Sequence, residues 1–228
     1  MLPAAPSRRP KILVTGFDPF GDDPINPSSM VAARLHGRQI AGHRVVAAQL
    51  PTVFAASAHR LLGLLQVHHP VLVVCLGLAG GRPAVSLERV AINIDDARIA
   101  DNSSAQPVDT PVWAGGPAAY FSTLPIKTML RAMRDAGLPA EVSNSAGTFV
   151  CNHVFYALMH HLATTRGPGA ARGGFIHLPW LPGQARTRSA KSAVMELDDM
   201  VEAIALGLRA AIHTPDGSDI ALVAGTTS

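Results

Sequence analysis

A chain of 228 residues fits one α/β domain better than two. Hydrophobic residues make up 48% of it and charged residues 15%, a composition rich in core and thin in solvated surface that fits some apolar surface buried between subunits. The net charge of +3 and the sequence pI of about 9.2 come from scattered basic residues, with no basic stripe interleaved with aromatics, which argues against a nucleic-acid partner.

Residues 1–10 read as a flexible lead-in, punctuated by Pro3, Pro6 and Pro10 and lacking the apolar centre of a secretory signal. Residues 12–15 form a short apolar run that stops at Gly16 and reads as a buried strand. Residues 28–35 read as a helix opened by Asn26-Pro27, residues 44–50 as a strand closed by Pro51, and residues 54–65 as a helix. Residues 71–76 form a central apolar strand followed by Gly-Leu-Ala-Gly-Gly, and residues 86–94 another strand. Residues 125–136 are helical, with Pro125 suited to the first turn and a stop at Gly137. A strand over 140–143, a helix over 152–162, a strand over 174–178 and a long helix over 191–212 complete a domain assigned to residues 11–213. Residues 214–228 read as a flexible tail. No run approaches the ~18 consecutive apolar residues of a membrane span. Two cysteines, Cys75 and Cys151, make no disulfide framework, and a reduced, cytoplasmic compartment follows as the expectation. Alternating β and α segments with continuously apolar strands predict an α/β protein with a mostly parallel sheet covered by helices on both faces.

In such a sheet the functional site lies beyond the carboxyl ends of the strands. The first strand is followed there by Gly16-Phe-Asp-Pro-Phe-Gly21, the third by Gly77-Leu-Ala-Gly-Gly-Arg82, and the strand over 140–143 by residues 144–151; the strand over 174–178 ends near His177. Taken alone, Cys151 is better read as a small buried hydrophobe, but it stands at the mouth of a helix, where partial positive charge lowers a thiol pKa and favours a nucleophilic thiolate. His177 is either a hydrogen-bonded core residue or a base placed to take the thiol proton. Glu88 shares the apolar side of its strand by period two, so it needs a partner. That partner is a histidine, as in a catalytic triad, or Arg89 or Arg98 in a structural ion pair. Neither Gly-rich loop matches a phosphate-loop or dinucleotide fingerprint. His68-His69 and His160-His161 are adjacent pairs with no H-E-x-x-H, so no catalytic metal is expected.

The ordered motifs Thr15-Gly-Phe-Asp-Pro-Phe-Gly21, Gly77-Leu-Ala-Gly-Gly-Arg82, Glu88-Arg-Val-Ala-Ile-Asn93, Ser145-Ala-Gly-Thr-Phe-Val-Cys-Asn-His153 and Gly173-Gly-Phe-Ile-His-Leu-Pro179 strongly resemble the pyrrolidone carboxyl peptidases (pyroglutamyl peptidase type I). The likeness runs from about Lys11 to about Ile212. It implies a single α/β/α sandwich on a twisted sheet, a Glu88, Cys151, His177 triad, and hydrolysis of the amide bond after an N-terminal 5-oxoproline. It places the lactam ring near Phe17, Phe20, Thr52, Ile99, Phe149 and Val150, backbone at Leu78 against the lactam amide, and Arg98 near the oxyanion. It further implies a cytoplasmic homotetramer, pyroglutamyl peptides as substrate, and no cofactor. Trp180 stands where relatives often carry Tyr or Phe, and residues 183–191 match poorly. Two rival readings stay open: a phosphorylase-like protein using the Gly16 and Gly77 loops for phosphate or nucleoside, and a non-catalytic binder that keeps the lactam pocket.

Overall fold

The computed structural model describes residues 9–21, 23–165, 170–185, 193–215 and 218–225. In chain order these form β1 (Lys11–Phe17), α1 (Pro27–Leu35), β2 (Gln39–Ile40), β3 (His43–Leu50), α2 (Phe54–His68), β4 (Leu72–Leu78), β5 (Val85–Glu88), β6 (Val90–Ile92), β7 (Ala119–Phe121), α3 (Ile126–Asp135), β8 (Ala140–Ser143), α4 (Val150–Thr164), β9 (Arg172–Leu178), α5 (Pro182–Ala185) and α6 (Leu197–His213). Seven strands make one sheet in the order β2-β3-β1-β4-β9-β5-β8, and β6 pairs with β7 in a separate ribbon. The centre, β3-β1-β4-β9, is parallel. At one edge β2 is antiparallel to β3; at the other, β5 is antiparallel to β9 and carries β8 parallel to itself.

Strands apolar on both faces need helices on both faces. Ile12, Val14, Val74, Leu87 and Ile176 project to one side, where α1, α3 and α6 bring Val31, Leu35, Met129, Ile204 and Leu208. Leu13, Val73, Cys75 and Phe175 project to the other, against α2 and α4 with Leu61, Val154 and Leu158. The expected α/β sandwich with a mostly parallel sheet is therefore the fold.

Long-range side chains, rather than local ones, close several helix ends. Asn26 caps α1 locally, its Oδ1 accepting from Ser28 N at 3.1 Å, with Pro27 in the first turn. Ser28 Oγ in turn accepts from Phe17 N at 2.9 Å, so α1 holds the end of β1. The two elements touch so closely that a Cβ on Gly16 would stand 2.3 Å from the Ser28 carbonyl. Asp101 Oδ2 takes Phe54 N at 3.0 Å at the start of α2. Asp219, in the C-terminal tail, takes Lys127 N and Thr128 N, each at 2.8 Å, at the start of α3. Further along the tail Ala224 O accepts from Arg89 Nη2 at 2.7 Å, and Leu222 and Ala224 pack on the core. Residues 216–217 and 226–228 of the expected tail, and residues 1–8 of the expected lead-in, lie outside the described residues.

The chief departure from expectation lies at Arg89. The strand read over 86–94 is two strands: β5 stays in the main sheet, while β6 leaves it to pair with β7. Asn152 holds the departing ribbon, its Oδ1 accepting from Ile92 N at 3.0 Å and its Nδ2 donating to Ile92 O and Ile94 O at 2.9 and 3.0 Å. Helix α4 begins at Val150 rather than 152, which puts Cys151 inside its first turn. Helix α6 begins at Leu197, and residues 191–192 of the expected longer helix lie outside the described residues.

Because Asp219 supplies the cap that Pro125 cannot, Asp219→Ala should lower stability by about 1 kcal/mol. The check is the urea midpoint at unchanged slope; a midpoint equal to that of the parent would show that the contact is not formed in solution.

Candidate active site

The pocket opens where β1 and β4 part. Their ladder ends at Thr15↔Cys75, although β1 continues along β3 to Phe17 and β4 continues along β9 to Leu78. The chain leaves β1 for β3 on one side and reaches β4 on the other, with α1 and α2 on opposite faces, which is the topological switch of an open α/β sheet. Ala79 N–H donates to Leu178 O at 2.9 Å, on the β9 side. One residue earlier, strand alternation turns the N–H and C=O of Leu78 the other way, into the gap. The gap is a cavity of about 110 Å³, lined by Phe17, Phe20, Thr52, Leu78, Phe149, Val150 and Cys151, with Asp23, Ile25 and Asn26. That is small beside the roughly 300–1,000 Å³ of drug-sized sites. Phe149 packs at 5.3 Å from Phe20 and 5.2 Å from Phe54. Asp18 Oδ1 fixes Thr52, accepting from its N at 2.6 Å and its Oγ1 at 2.7 Å.

Six of the seven residues expected around the ring line this cavity. The seventh, Ile99, is 50% exposed and does not. Arg98 is exposed beside it, and neither Glu88 nor the cavity wall receives it among the described residues.

Cys151 sits over the sheet in the wall of the cavity. A Cβ on Gly77 would lie 2.9 Å from its Sγ and 2.8 Å from the Phe175 ring, so only glycine leaves room for the sulfur. Gly77 is the register partner of His177, which puts sulfur and imidazole on one face of the sheet at one level. No hydrogen bond joins them among the described residues. Trp180 fills the space beside Gly80 in the same way. These glycines make room for packed side chains, which leaves the phosphate-cradle reading without its cradle.

His177 Nδ1 meets Glu88 Oε1 at 2.7 Å, with both residues buried. An ionised carboxylate only accepts, so Nδ1 carries a proton and donates it to Oε1, which leaves Nε2 for other partners. The reversed edge strand makes this possible: Ser86 pairs with His177 across the antiparallel ladder, and Glu88 follows two residues on, on the same face. The ion-pair partner is Arg82, whose Nη1 donates to the same Oε1 at 2.7 Å, and not Arg89 or Arg98. Arg89 is turned to Asn144 Oδ1 at 2.8 Å and to Ala224 O. Arg82 was legible only as the cation that ends a strand-end glycine loop.

Burial alone would raise the Glu88 carboxyl, but the hydrogen bond and charge of His177, with Ser143 and Arg82, outweigh it and hold the group below the ordinary carboxylate range. The Ser143 hydroxyl is directed at Ser145 O at 3.1 Å, and Glu88 Oε2 has no hydrogen-bond partner among the described residues. For Cys151 the balance runs against the expectation from its helix-mouth position. Burial, then the Glu88 charge, push the thiol up to about 12, against a smaller pull downward from Arg82. The helix start that carries Cys151 has neither a side-chain cap nor an acidic residue in the first turn among the described residues. The first helical bond there is His153 N to Phe149 O, which leaves the amides of Val150, Cys151 and Asn152 without helical partners.

A cysteine, a carboxylate-oriented histidine and free helix-start amides around a small apolar cavity define a site for acyl transfer by a thiol nucleophile. The family model for pyroglutamyl peptidase matches residues 10–214, and the chain belongs to that family. It is 54% identical to the pyrrolidone-carboxylate peptidase of Cupriavidus pinatubonensis over 209 residues, 92% of this chain and 94% of that one. It is 47% identical to the corresponding protein of Bacillus cytotoxicus over 216 residues, 95% and 98% of the two chains. The crystal structure of pyroglutamyl peptidase I from Bacillus amyloliquefaciens superposes with a TM-score of 0.86 at 43% identity, covering 92% of this chain and all of that one (100%).

A carboxyl held below its ordinary value stabilises the fold above its unfolded value, near pH 4.3, and loses that contribution as pH falls through the lower folded value. The stability gap between the parent and Glu88→Gln should therefore shrink as unfolding is measured from neutral pH down through this window. A gap that stays constant with pH would contradict the ionised, partnered state.

Proposed function

We propose that this protein hydrolyses the amide bond after an N-terminal pyroglutamate, with Cys151 as nucleophile, His177 as general base and then acid, and Glu88 as the group that orients His177. The observation that supports it most is that Sγ lies over Gly77, the register partner of His177, in the wall of a small cavity lined by aromatic residues. As Sγ attacks the carbonyl carbon, Nε2 takes the thiol proton and the carbonyl π electrons move to oxygen, to which the amides at the start of α4 donate hydrogen bonds. Collapse expels the amine, which leaves with the proton from Nε2. Water, deprotonated by His177, then cleaves the thioester, releases 5-oxoproline and restores the thiol. The lactam lies against Phe17, Phe20, Phe149 and Val150 near Thr52, with the Leu78 backbone facing its amide edge. These groups complete the reaction without a cofactor.

The finer setting belongs to the same reading: a homotetramer working in the cytoplasm. No helix among the described residues is long and apolar enough to cross a membrane. Exposed Phe121 (71%), Val108 (65%) and Trp113 (47%) offer apolar surface for subunits to cover. Sedimentation equilibrium should give a mass near four chains; a monomer at micromolar concentration would remove the tetramer.

Cys151→Ala should reduce release of 5-oxoproline from a pyroglutamyl amide reporter at least ~1,000-fold, with the fold intact by circular dichroism. Retained turnover would remove Cys151 as nucleophile. Gly77→Ala should cost about 100-fold in kcat, the scale of a ~1 Å misplacement of a reacting group. Unchanged kcat there would show that the sulfur does not work from its position over Gly77.

A further inference from the structure

We propose that Arg82 is a positioning residue that sets the pH range of the Cys151–His177 pair by sharing the Glu88 carboxylate with the imidazole. The inference rests on the roles given above to Cys151, His177 and Glu88. Arg82 Nη1 and His177 Nδ1 both meet Glu88 Oε1 at 2.7 Å. A carboxylate oxygen shared with a guanidinium stabilises a neighbouring imidazolium less than one that faces the ring alone. Arg82 therefore limits how strongly His177 holds its extra proton, while Glu88 still fixes the ring's orientation.

The guanidinium is aimed from two sides. Its Nη2 donates to Ser145 O at 3.2 Å, in the segment that leads into the nucleophile's helix. The planar fork of arginine spans the β5 carboxylate and this carbonyl together, which a lysine ammonium does not reproduce. The Arg82 side chain is 31% exposed while that of Glu88 is 0% exposed, so a half-solvated cation guards a dry anion.

The other charged or titratable groups around the pair are engaged elsewhere. Glu141, from β8, accepts from Ser86 Oγ at 2.7 Å. Arg89 is turned to Asn144 and Ala224 O. Asp95 pairs with His153 at 2.8 Å, two residues along α4 from the nucleophile. Cys75, from β4, is a buried thiol pushed up to about 12 by burial. Among the described residues, Arg82 is the cation in hydrogen-bond contact with the carboxylate that orients the base. Its effect on the nucleophile has the same sign. Burial and Glu88 raise the Cys151 thiol, and Arg82 acts in the opposite direction.

The test is the pH profile of kcat/KM for a pyroglutamyl amide reporter in the parent, Arg82→Gln and Arg82→Lys. Removing the charge leaves Glu88 wholly to the imidazolium, so the acid limb moves up; the thiol loses its neighbouring cation, so the basic limb moves up too. The whole bell should shift to higher pH by about 0.5–1 unit, less than the roughly 1–3 units given by a close, well-buried charge, because Arg82 is partly solvated. Arg82→Lys should bring both limbs back toward the parent at reduced kcat. A role confined to holding the loop would lower the height of the bell or the stability and leave both limbs in place, which would overturn the proposal. If Arg82→Gln does not fold, Arg82→Met repeats the test with the stem kept; failure of both to fold would assign Arg82 to stability and also overturn it. Cys151→Ala run alongside separates the two readings. An inactive Cys151→Ala with unmoved limbs in Arg82→Gln removes this inference alone, whereas an active Cys151→Ala removes the site assignment beneath it.

Discussion

A carboxylate buried without solvent, Glu88, is the constraint from which the site follows. An ion so placed is destabilising unless paired and hydrogen-bonded. One of its oxygens takes both an imidazole N–H and a guanidinium, while the other takes none among the described residues. Satisfying Oε1 dictates the topology nearby. β5 must run against β9 for Glu88 to arrive beside His177 from across the ladder, and β8, parallel to β5, runs with it. The departure of the chain at Arg89 has the same origin. Past Glu88 the next residues leave the sheet for the β6–β7 ribbon, so the carboxylate ends a strand instead of lying within one.

A second constraint is room. Three groups must converge where a parallel sheet is already packed on both faces, and the structure makes space by deleting side chains. Gly77 yields its Cβ position to Sγ and to the Phe175 ring; Gly16 lets α1 close on the end of β1. The β1–β4 ladder stops at Cys75, which frees backbone at Leu78 to face a ligand. With β4 gone from its side, Phe17 N is satisfied by Ser28 Oγ instead. The backbone accounting therefore closes on the side of the pocket built by α1 and stays open on the side where a small amide can bind.

Much of this was legible in the chain because it is local. Continuous apolar runs announce the buried parallel strands, Asn26-Pro27 the start of α1, and glycines the strand ends. Cys151, His177 and Glu88 could be assembled from the rule that strand ends gather chemistry. The motif resemblance tied them to one task. What stayed hidden depends on long-range pairing. Period two carried the strand through Arg89, because Val90 and Ile92 continue the alternation; only the competition between β9 and β7 for partners shows the break. Arg82 was hidden for the same reason. Six residues separate it from Glu88, across a turn whose geometry no propensity specifies. Asp101 and Asp219 cap helices from 47 and about 90 residues away, so neither helix start carries its capping side chain in its own sequence.

The state of the thiol shows how far a local rule reaches. A helix mouth lowers a thiol pKa when the sulfur is partly solvated and opposite charges are few. At Cys151, a half-buried residue, the sulfur lies close over Gly77 with an anion nearby, and burial and that charge together push the thiol up. A thiolate formed at rest would stand near the Glu88 charge. On the proposed mechanism, keeping the proton on sulfur until a carbonyl lies against the helix amides defers that cost to the moment when the developing charge is on oxygen, to which helix-start N–H groups can donate hydrogen bonds. A cavity too small for much beyond one ring then acts as a filter on reactivity as well as on binding. On the proposed mechanism, only a ligand that seats its lactam against Phe17 and Phe149 brings its carbonyl to the thiol.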